Sequence, residues 1–291
     1  MQRPETVTAI VPRSHLYVPA DRPDHLAKVL GRGADGIILD LEDAVTLDRK
    51  PLARETATRW LTENPEAPLT VWVRLTVEEP QFDIKAIVAP VSAVMVPKAE
   101  VDSVAAVAEL LDAREAELGL PRGTITIVPL IETARGLLSA LELAEFPRVS
   151  RLAIGRADLA GELGLSVDPE GMEFRGLMLG LVVASSAAGV EAPVAPTSTD
   201  FRDLDALRAS TEQLLRLGFR GRTAVHPAQL AIINEVFTPS DDEVAKASEL
   251  VEAFERVQRD GSGVFADDQG RMIDAAVVKS ARDVLARARR G

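Results

Sequence analysis

The chain has 291 residues, of which 46% are hydrophobic and 27% charged, and its net charge is −12. This composition is typical of a folded globular protein, and the acidic balance without a long basic cluster excludes wholesale binding to nucleic acid. Cysteine is absent, which excludes disulfides and a thiolate zinc site. No apolar run is long enough for a signal peptide or for the ~20 residues that span a bilayer, so we expect a cytoplasmic protein without membrane contact.

Short apolar runs rich in β-branched residues alternate with longer segments of helical period, which is typical of a parallel sheet with crossover helices. Strands are predicted at residues 15–18, 36–41, 70–75, 93–96, 124–130, 151–154, 190–194 and 223–225. Helices are predicted at residues 22–30, 49–61, 101–118, 134–144, 172–188 and 204–217, whereas the third crossover, near 79–88, has a weak pattern. Eight strand–helix units favour an α/β fold of the TIM (β/α)8 barrel type over an open doubly wound sheet.

Roughly a fifth of the chain follows the eighth unit and exceeds what a barrel needs. It contains a predicted helix from about residue 241, a glycine-rich break at 261–263, and a last helix from about residue 275. We therefore predict a barrel over residues 1–238 and a C-terminal helical extension over residues 239–291. The extension can pack on its own barrel, cap the barrel mouth or cross to a neighbouring subunit.

Carboxylates cluster where the second predicted strand ends. Asp40, Glu42 and Asp43 lie at or just past the end of an otherwise apolar run, and in a TIM barrel the chemistry lies at this end of the strands. Three carboxylates within four positions repel one another unless cations, a metal shell or hydrogen-bond donors compensate them. We interpret the cluster as functional, the alternative being that Asp43 only caps the next helix.

The next two strands each deliver a cation to the same end. Arg74, near the end of the third strand, can bind a substrate carboxylate with two parallel hydrogen bonds, or else serve as a structural partner of Asp40 or Glu42. Lys98 follows the fourth strand and can neutralise the acidic cluster or contact substrate.

The fifth and sixth strands each deliver one carboxylate just beyond their ends, Glu132 and Asp158. Two acids on adjacent strands suit Mg²⁺, which takes one or two carboxylates and completes its octahedron with water and substrate oxygens. Helix capping is the alternative, and it fits Asp158 better than Glu132, because glutamate is a poor cap and Thr133 is better placed.

His226 follows the eighth strand and precedes Pro227, which suits the first turn of a helix. A lone histidine on such a loop is more often structural than a general base. No phosphate-binding or dinucleotide-binding glycine pattern is present, so nucleotide phosphotransfer and nicotinamide redox chemistry lack their usual signal.

Several spaced motifs, in order along nearly the whole chain, resemble the HpcH/HpaI aldolase and citrate lyase β-subunit-like family. They are RSHLYVPA at 13–20, DLEDAV at 40–45, PLIETARG at 129–136, HPAQ at 226–229 and GRMID at 270–274. The resemblance implies a TIM barrel, usually trimeric or hexameric, that uses Mg²⁺ to make or break bonds between a 2-oxo acid and an acyl-thioester enolate.

The resemblance also implies roles for individual residues. Glu132 and Asp158 correspond to the metal ligands, Arg74 to the arginine that holds the oxo-acid carboxylate, and Glu42 and Asp43 to acids that position metal-bound waters.

In the stand-alone coenzyme A lyases of the family, the aspartate of the C-terminal motif, here Asp274, reaches an adjacent subunit's active site as acid/base. From the sequence alone Asp274 is an ordinary helix N-cap. If coenzyme A carries the acyl group, its phosphates need local cations, and the first strand–helix unit offers Arg13, Arg22 and Lys28, with Arg13 also a candidate substrate contact.

Three departures from the family pattern leave the substrate open. Arg222 stands where Gly-Lys is common, residues 192–196 replace a segment that often carries an acid, and His15 takes a usually aromatic position. The resemblance implies a lyase acting on a citryl-, malyl- or citramalyl-CoA-like thioester. The alternatives are a citrate lyase β subunit that needs partner subunits and an acyl carrier protein, an acyl-CoA thioesterase, and a non-catalytic protein that binds metal and oxo acid.

Overall fold

The computed structural model describes residues 12–165, 172–259, 263–266 and 270–288. The chain divides into two compact units, of which one is Pro12–Asn234 and the other contains the chain from Glu235 onward.

The first unit is built on eight parallel strands. They are β1 (Ser14–Pro19), β2 (Gly36–Asp40), β3 (Thr70–Arg74), β4 (Val91–Val96), β5 (Thr126–Ile131), β6 (Arg151–Ile154), β7 (Glu191–Val194) and β8 (Arg222–Ala224). They pair in the order β7-β6-β5-β4-β3-β2-β1-β8, and a parallel bridge between Ala195 and Arg222 links the two ends of the sheet. The predicted TIM barrel is confirmed, and all eight predicted strands are present with ends shifted by at most two residues.

Helices follow the strands around the first unit. They are α1 (Pro23–Leu26), α2 (Lys50–Glu63), α3 (Pro80–Lys85), α4 (Val101–Leu118), α5 (Ala134–Leu138), α6 (Ala140–Glu145), α7 (Arg156–Leu163), α8 (Met172–Ala188), α9 (Leu204–Leu217) and α10 (Leu230–Phe237), the last of which contains the division between the units.

Two predicted helices are broken. The helix predicted at 22–30 is the single turn α1 followed by a 3₁₀ turn at Val29–Gly31, and the one predicted at 134–144 divides at Ser139 into α5 and α6. Apolar periodicity over one or two turns does not distinguish a continuous helix from short α and 3₁₀ segments, which explains both differences.

Apolar side chains from most strands fill the barrel interior, together with Tyr17 at its edge. The buried cluster consists of Ile38, Trp72, Ala93, Met95, Val128, Leu130, Ala153 and Val194. His15 is fully buried with its ring centroid 3.9 Å from that of Trp72. Burial, together with the nearby charge of Arg151, lowers the pKa of His15 well below its ordinary value, so a neutral imidazole packs there as an aromatic ring would.

The second unit contains α11 (Asp241–Arg259), a two-stranded antiparallel sheet of β9 (Phe265–Ala266) and β10 (Met272–Ile273), and α12 (Ala275–Ala288). Phe254, Ile273 and Val278 form its buried centre, with Leu250, Val251 and Phe265 packed around them. Within the described ranges of both units, no helix has the length and apolar character needed to cross a membrane.

Candidate active site

A cavity of 740 Å³ lies at the carboxyl ends of the barrel strands, where TIM barrels carry their chemistry. Its wall includes Asp43, Arg74, Glu132 and Asp158, which come from the ends of β2, β3 and β5 and from the first turn of α7. The fold therefore brings together four residues that the sequence places on separate strand–helix units.

Glu132 is the buried carboxylate of this cavity, with 4% of its surface exposed. The backbone N–H of Lys98 donates to its Oε2 at 3.0 Å, and Gly155 packs so closely that a Cβ there would lie 2.3 Å from both Cγ and Oε1. Burial raises the pKa of Glu132 to about 7; the Lys98 amide opposes this rise, and the negative charge of Asp158 adds to it. The pocket thus holds the carboxylate in one place while leaving its charge poorly compensated.

A divalent cation fits these two acids. Within the described part of the chain, neither Glu132 nor the exposed Asp158 has an ion-pair partner, and no group of three or more histidine or acidic side chains forms a complete cage. Two carboxylates suit Mg²⁺, whose remaining positions are usually filled by water and substrate oxygens. Zinc or another ion that requires a full set of protein ligands fits less well.

Arg74 lies at the centre of the acidic cluster after β2. Its Nε and Nη2 donate to the two carboxylate oxygens of Asp40 at 2.8 and 2.7 Å, and its Nη1 lies 2.6 Å from Glu42 and 3.4 Å from Asp43. Arg74 is therefore a structural partner of Asp40 and Glu42, which was the alternative to substrate binding. The two parallel hydrogen bonds that the sequence assigned to a substrate carboxylate, from Nε and Nη2, go to Asp40. A ligand can use only the remaining hydrogens of Nη1 and Nη2.

Glu42 lies behind the cavity wall and is 6% exposed. Burial raises its pKa to about 8; Arg74 opposes the rise, and the charges of Asp43 and Glu132 add to it. The buried ammonium group of Lys50, at the start of α2, donates to the backbone carbonyls of Leu41 and Glu42, both at 2.6 Å. These bonds fix the chain where β2 ends and so hold the acidic cluster in place.

The cations predicted from the sequence do not all reach the cavity. Arg13 precedes β1 and pairs with Asp35, which precedes β2, at 2.7 and 2.9 Å. Both residues therefore lie at the amino ends of the strands, opposite the cavity, and the structure does not bring Arg13 to the cavity where the sequence predicted it to bind substrate or coenzyme A.

The other three predicted cations follow barrel strands, Arg22 shortly after β1, Lys28 after α1 and Lys98 after β4. Arg22 and Lys28 are exposed after β1 and are not part of the cavity wall. Lys98 adopts a left-handed backbone conformation (φ 44°) with an exposed side chain, and its contribution to the site is the backbone N–H that binds Glu132.

His226 has a structural role. Its Nδ1 accepts a hydrogen bond from the backbone N–H of Ala228, the side chain of Gln229 accepts from the His226 N–H, and its ring stacks on Phe201 with centroids 4.7 Å apart. The pattern is a reciprocal helix cap, which agrees with the structural interpretation of this histidine.

Asp274 belongs to the second unit. Its Oδ1 accepts hydrogen bonds from the backbone N–H groups of Ala276 and Val277 at 2.9 and 3.0 Å, so it caps α12.

Sequence reasoning missed several residues that shape the site. Gly155 had a detectable signal, since it directly follows an apolar strand that leads to Asp158, whereas the contact of Lys50 with the end of β2 had none. Hydroxyl groups on the β7 and β8 side of the cavity were also missed; they belong to Thr197, Ser198, Thr199, Ser210 and Thr223.

The fold and the site together define a TIM-barrel protein with a two-carboxylate, arginine-containing cavity at the carboxyl ends of its strands. The sequence profile of the HpcH/HpaI aldolase/citrate lyase family matches residues 13–227. The chain belongs to this family, and the resemblance noted in its motifs is confirmed.

Individual relatives extend over almost the whole chain. The (3S)-malyl-CoA thioesterase of Cereibacter sphaeroides is 35% identical over 283 residues, which cover 95% of this chain and 94% of that protein. The L-malyl-CoA/beta-methylmalyl-CoA lyase of Rhodobacter capsulatus is 30% identical, with 95% and 94% covered. The crystal structure of CitE from Mycobacterium tuberculosis in complex with magnesium, acetoacetate and coenzyme A superimposes with a TM-score of 0.75 at 29% identity, covering 96% of this chain and 98% of that one. The lyase from R. capsulatus agrees with the predicted lyase class, whereas the thioesterase from C. sphaeroides corresponds to the hydrolytic alternative. The magnesium in the M. tuberculosis complex agrees with the predicted cofactor.

Proposed function

We propose that the protein is a Mg²⁺-dependent carbon–carbon lyase that cleaves a 2-hydroxy or 3-hydroxy acid acyl thioester into a 2-oxo acid and an acyl-CoA. The observation that carries this proposal is that Glu132 and Asp158 line the same cavity as Arg74 and that, among the described residues, no cation forms an ion pair with either acid. The ligands of the M. tuberculosis relative, magnesium, an oxo acid and coenzyme A, match what such a cavity would hold.

In this proposal Glu132 and Asp158 hold the metal and Arg74 binds the carboxylate of the oxo-acid part. The chemistry that Mg²⁺ supplies at such a site is polarisation of a carbonyl oxygen. Asp40 keeps the guanidinium of Arg74 in a fixed plane, which limits the orientations available to a bound carboxylate. We assign to Glu42 and Asp43, which lie 2.6 and 3.4 Å from Nη1 of Arg74, the role of positioning water that the metal would bind.

Cleavage breaks the bond between the hydroxyl-bearing carbon and the carbon next to the thioester. The hydroxyl proton passes to water in the cavity as the hydroxyl becomes the oxo group, and the thioester enolate that leaves takes up one proton, so that no net proton is gained or lost. We assign this second proton transfer to Asp274 of a neighbouring subunit, with water near Glu42 as the other source. Transfer of a proton from a neighbouring subunit requires a homo-oligomer, which we propose to be a trimer or hexamer. We propose a barrel of residues 1–238 and an extension of residues 239–291, and the function of the extension would be to carry Asp274 to that neighbour.

The thioester carrier in this proposal is coenzyme A. The candidates for contacts with its phosphates are the exposed Arg22, just past the carboxyl end of β1, and Lys28, which follows α1. A citrate lyase β subunit would instead receive its acyl group from a carrier protein within a complex. Turnover by the isolated chain separates these two possibilities.

Thioester hydrolysis is the second candidate function, because the 35% identical relative from C. sphaeroides is named a thioesterase. The two reactions differ in their products. A lyase releases an oxo acid and an acyl-CoA, whereas a thioesterase releases the hydroxy acid and free coenzyme A.

The deciding experiment is incubation of the purified full chain and Mg²⁺ with malyl-CoA, citramalyl-CoA and citryl-CoA, while oxo acid, acyl-CoA and free thiol are all followed. We expect oxo acid and acyl-CoA in equal amounts, and no turnover by the Glu132→Ala variant. Free thiol without acyl-CoA would identify the thioesterase. Binding of metal and oxo acid without any product would identify the non-catalytic alternative.

A further inference from the structure

Arg222 is a buried cation on the far side of the same cavity. It begins β8 and is 4% exposed. Its Nε donates to the carbonyl of Pro196 at 3.0 Å, and its Nη1 donates to the hydroxyls of Ser210 and Thr211 at 3.0 and 2.6 Å. All of these acceptors are neutral, so they orient the guanidinium without compensating its charge.

No carboxylate pairs with Arg222 among the residues that the structure describes. Burial, and then the positive charge of Arg156, lower the pKa of Arg222 to about 10, which leaves it protonated at neutral pH. A buried charge without a counter-ion is unfavourable, because the loss of hydration is not repaid by an opposite charge. The described surroundings of Arg222 therefore supply no anion to compensate its charge.

The cavity is where that anion can reach Arg222. Arg222 lines it together with Glu132 and Asp158, and its Nη2 has no acceptor in the described part of the chain. Asp200 and Asp203 also line the cavity, but each has an Oδ1 engaged with backbone N–H groups and neither appreciably perturbs Arg222. Hydroxyl groups from the neighbouring wall can add further hydrogen bonds to a bound anion.

We infer that Arg222 anchors an anion subsite of this cavity, which receives a second acidic group of the substrate, apart from the group held at Arg74 and the metal pair. The inference rests on the proposed function for the rest of the substrate. The acidic group has two chemical sources, the second carboxylate of a dicarboxylic oxo acid or a phosphate of the thioester carrier. A substrate with only one carboxylate and no phosphate would leave the charge of Arg222 uncompensated.

The test compares ligands that differ in their acidic groups. Binding of oxaloacetate, pyruvate and inorganic phosphate to the full chain with Mg²⁺ is measured by calorimetry at constant ionic strength, for the wild type and for Arg222→Gln. If the second carboxylate is the source, the wild type prefers oxaloacetate to pyruvate by about tenfold or more, and the variant loses this preference. If the source is a carrier phosphate, the wild type binds phosphate and the variant does so at least about tenfold more weakly.

Arg220→Gln is the matched control. Arg220 lies just before β8 and donates to the backbone carbonyls of Leu215 and Phe219, but it does not line the cavity. It should leave all three affinities unchanged. If Arg222→Gln does not fold, the same affinities are measured on Arg222→Lys. A lysine ammonium group cannot donate to Ser210, Thr211 and a ligand in the fixed geometry of a guanidinium group. The preference, or the phosphate affinity, should then fall at least threefold.

The inference is overturned if the folded Arg222 variants bind all three ligands as the wild type does. A loss of stability with unchanged ligand affinities would show that the role of Arg222 is only structural. The proposed function has a separate readout in the same experiment, since pyruvate binding should require both Mg²⁺ and Glu132. Pyruvate binding that needs neither would contradict the metal site, while the Arg222-dependent differences would still stand.

Discussion

Gly155 leaves no room for a side chain beside the carboxylate of Glu132. A Cβ at this position would lie 2.3 Å from Cγ and from Oε1, closer than non-bonded atoms approach. The backbone of Gly155, with φ −94° and ψ 100°, is accessible to any residue, so the need for glycine arises from the contact and not from the chain conformation. The sixth strand thus shapes the pocket of an acid that the fifth strand supplies.

We expect the Gly155→Ala variant to displace Glu132 and to weaken Mg²⁺ binding about tenfold or more, as changes beside metal ligands usually do. Titration calorimetry with Mg²⁺ measures this effect, and circular dichroism confirms that the variant is folded. Gly161→Ala is the control, because a Cβ at Gly161 in α7 meets nothing within 4 Å. Equal Mg²⁺ affinity in both variants would contradict the proposed ligand role of Glu132.

The pair of Arg74 and Asp40 gives a prediction about stability. Asp40 is 1% exposed and accepts both hydrogen bonds of the guanidinium fork, so the Asp40→Asn variant leaves a buried charge partly uncompensated. We expect the free energy of unfolding to fall by about 3 kcal/mol in urea denaturation. The exposed Asp43, 3.4 Å from Arg74, provides the comparison, and Asp43→Asn should change stability by about 0.5 kcal/mol or less. Similar losses of unfolding free energy in the two variants would show that the buried pair of Arg74 and Asp40 stabilises the fold no more than the exposed contact with Asp43 does.

Asp274 allows its catalytic and structural roles to be separated. Asparagine caps helices about as well as aspartate, so Asp274→Asn should keep α12 intact and the melting temperature unchanged while turnover falls at least about a hundredfold. Mixed oligomers of Asp274→Asn and Glu132→Ala chains, unfolded and refolded together, should regain activity that neither variant has alone. Full activity of Asp274→Asn would exclude the acid/base role, and failure of the mixed oligomers would exclude transfer between subunits.

Glu115 makes stability depend on pH. It is fully buried, accepts from the backbone N–H groups of Gly123 and Ile125, and pairs with Arg148. Burial alone would raise the pKa of Glu115, but the hydrogen bonds from Arg148, Ile125 and Gly123 together outweigh it and lower the pKa. Its stabilisation is therefore present above the ordinary glutamate pKa of about 4.3 and is lost as the pH falls through the lower folded-state pKa.

We expect Glu115→Gln to lower the free energy of unfolding at pH 7 by about 3 kcal/mol, because Arg148 loses a buried partner. The difference from the wild type should shrink as the pH falls below about 4. Urea denaturation across pH measures it. Glu117→Gln, which removes an exposed pair with Arg114, should change stability by at most about 0.5 kcal/mol at any pH. A constant difference across pH would mean that Glu115 does not act through its charge.

The sequence by itself determined the barrel and the position of its site. Alternating apolar runs and helical segments specify parallel strands, and parallel strands place their carboxyl ends on one side, so residues that follow the runs must meet there. For this reason one cavity is lined by Asp43, Arg74, Glu132 and Asp158. The same reasoning could not place Asp274, whose local pattern is only that of a helix cap.

Only the tertiary structure decided which side chains pair. Arg74 lies directly opposite Asp40 in the register of β3 and β2, and it uses on Asp40 the fork that the sequence assigned to a ligand. Arg13 precedes its strand and pairs with Asp35 at the opposite end, which a search for nearby cations could not reveal. Arg222 is a buried charge because α9 packs against β8, and among the described residues no carboxylate pairs with it. Strand order follows from local patterns along the chain, whereas pairing, burial and charge compensation depend on contacts between residues that are far apart in sequence.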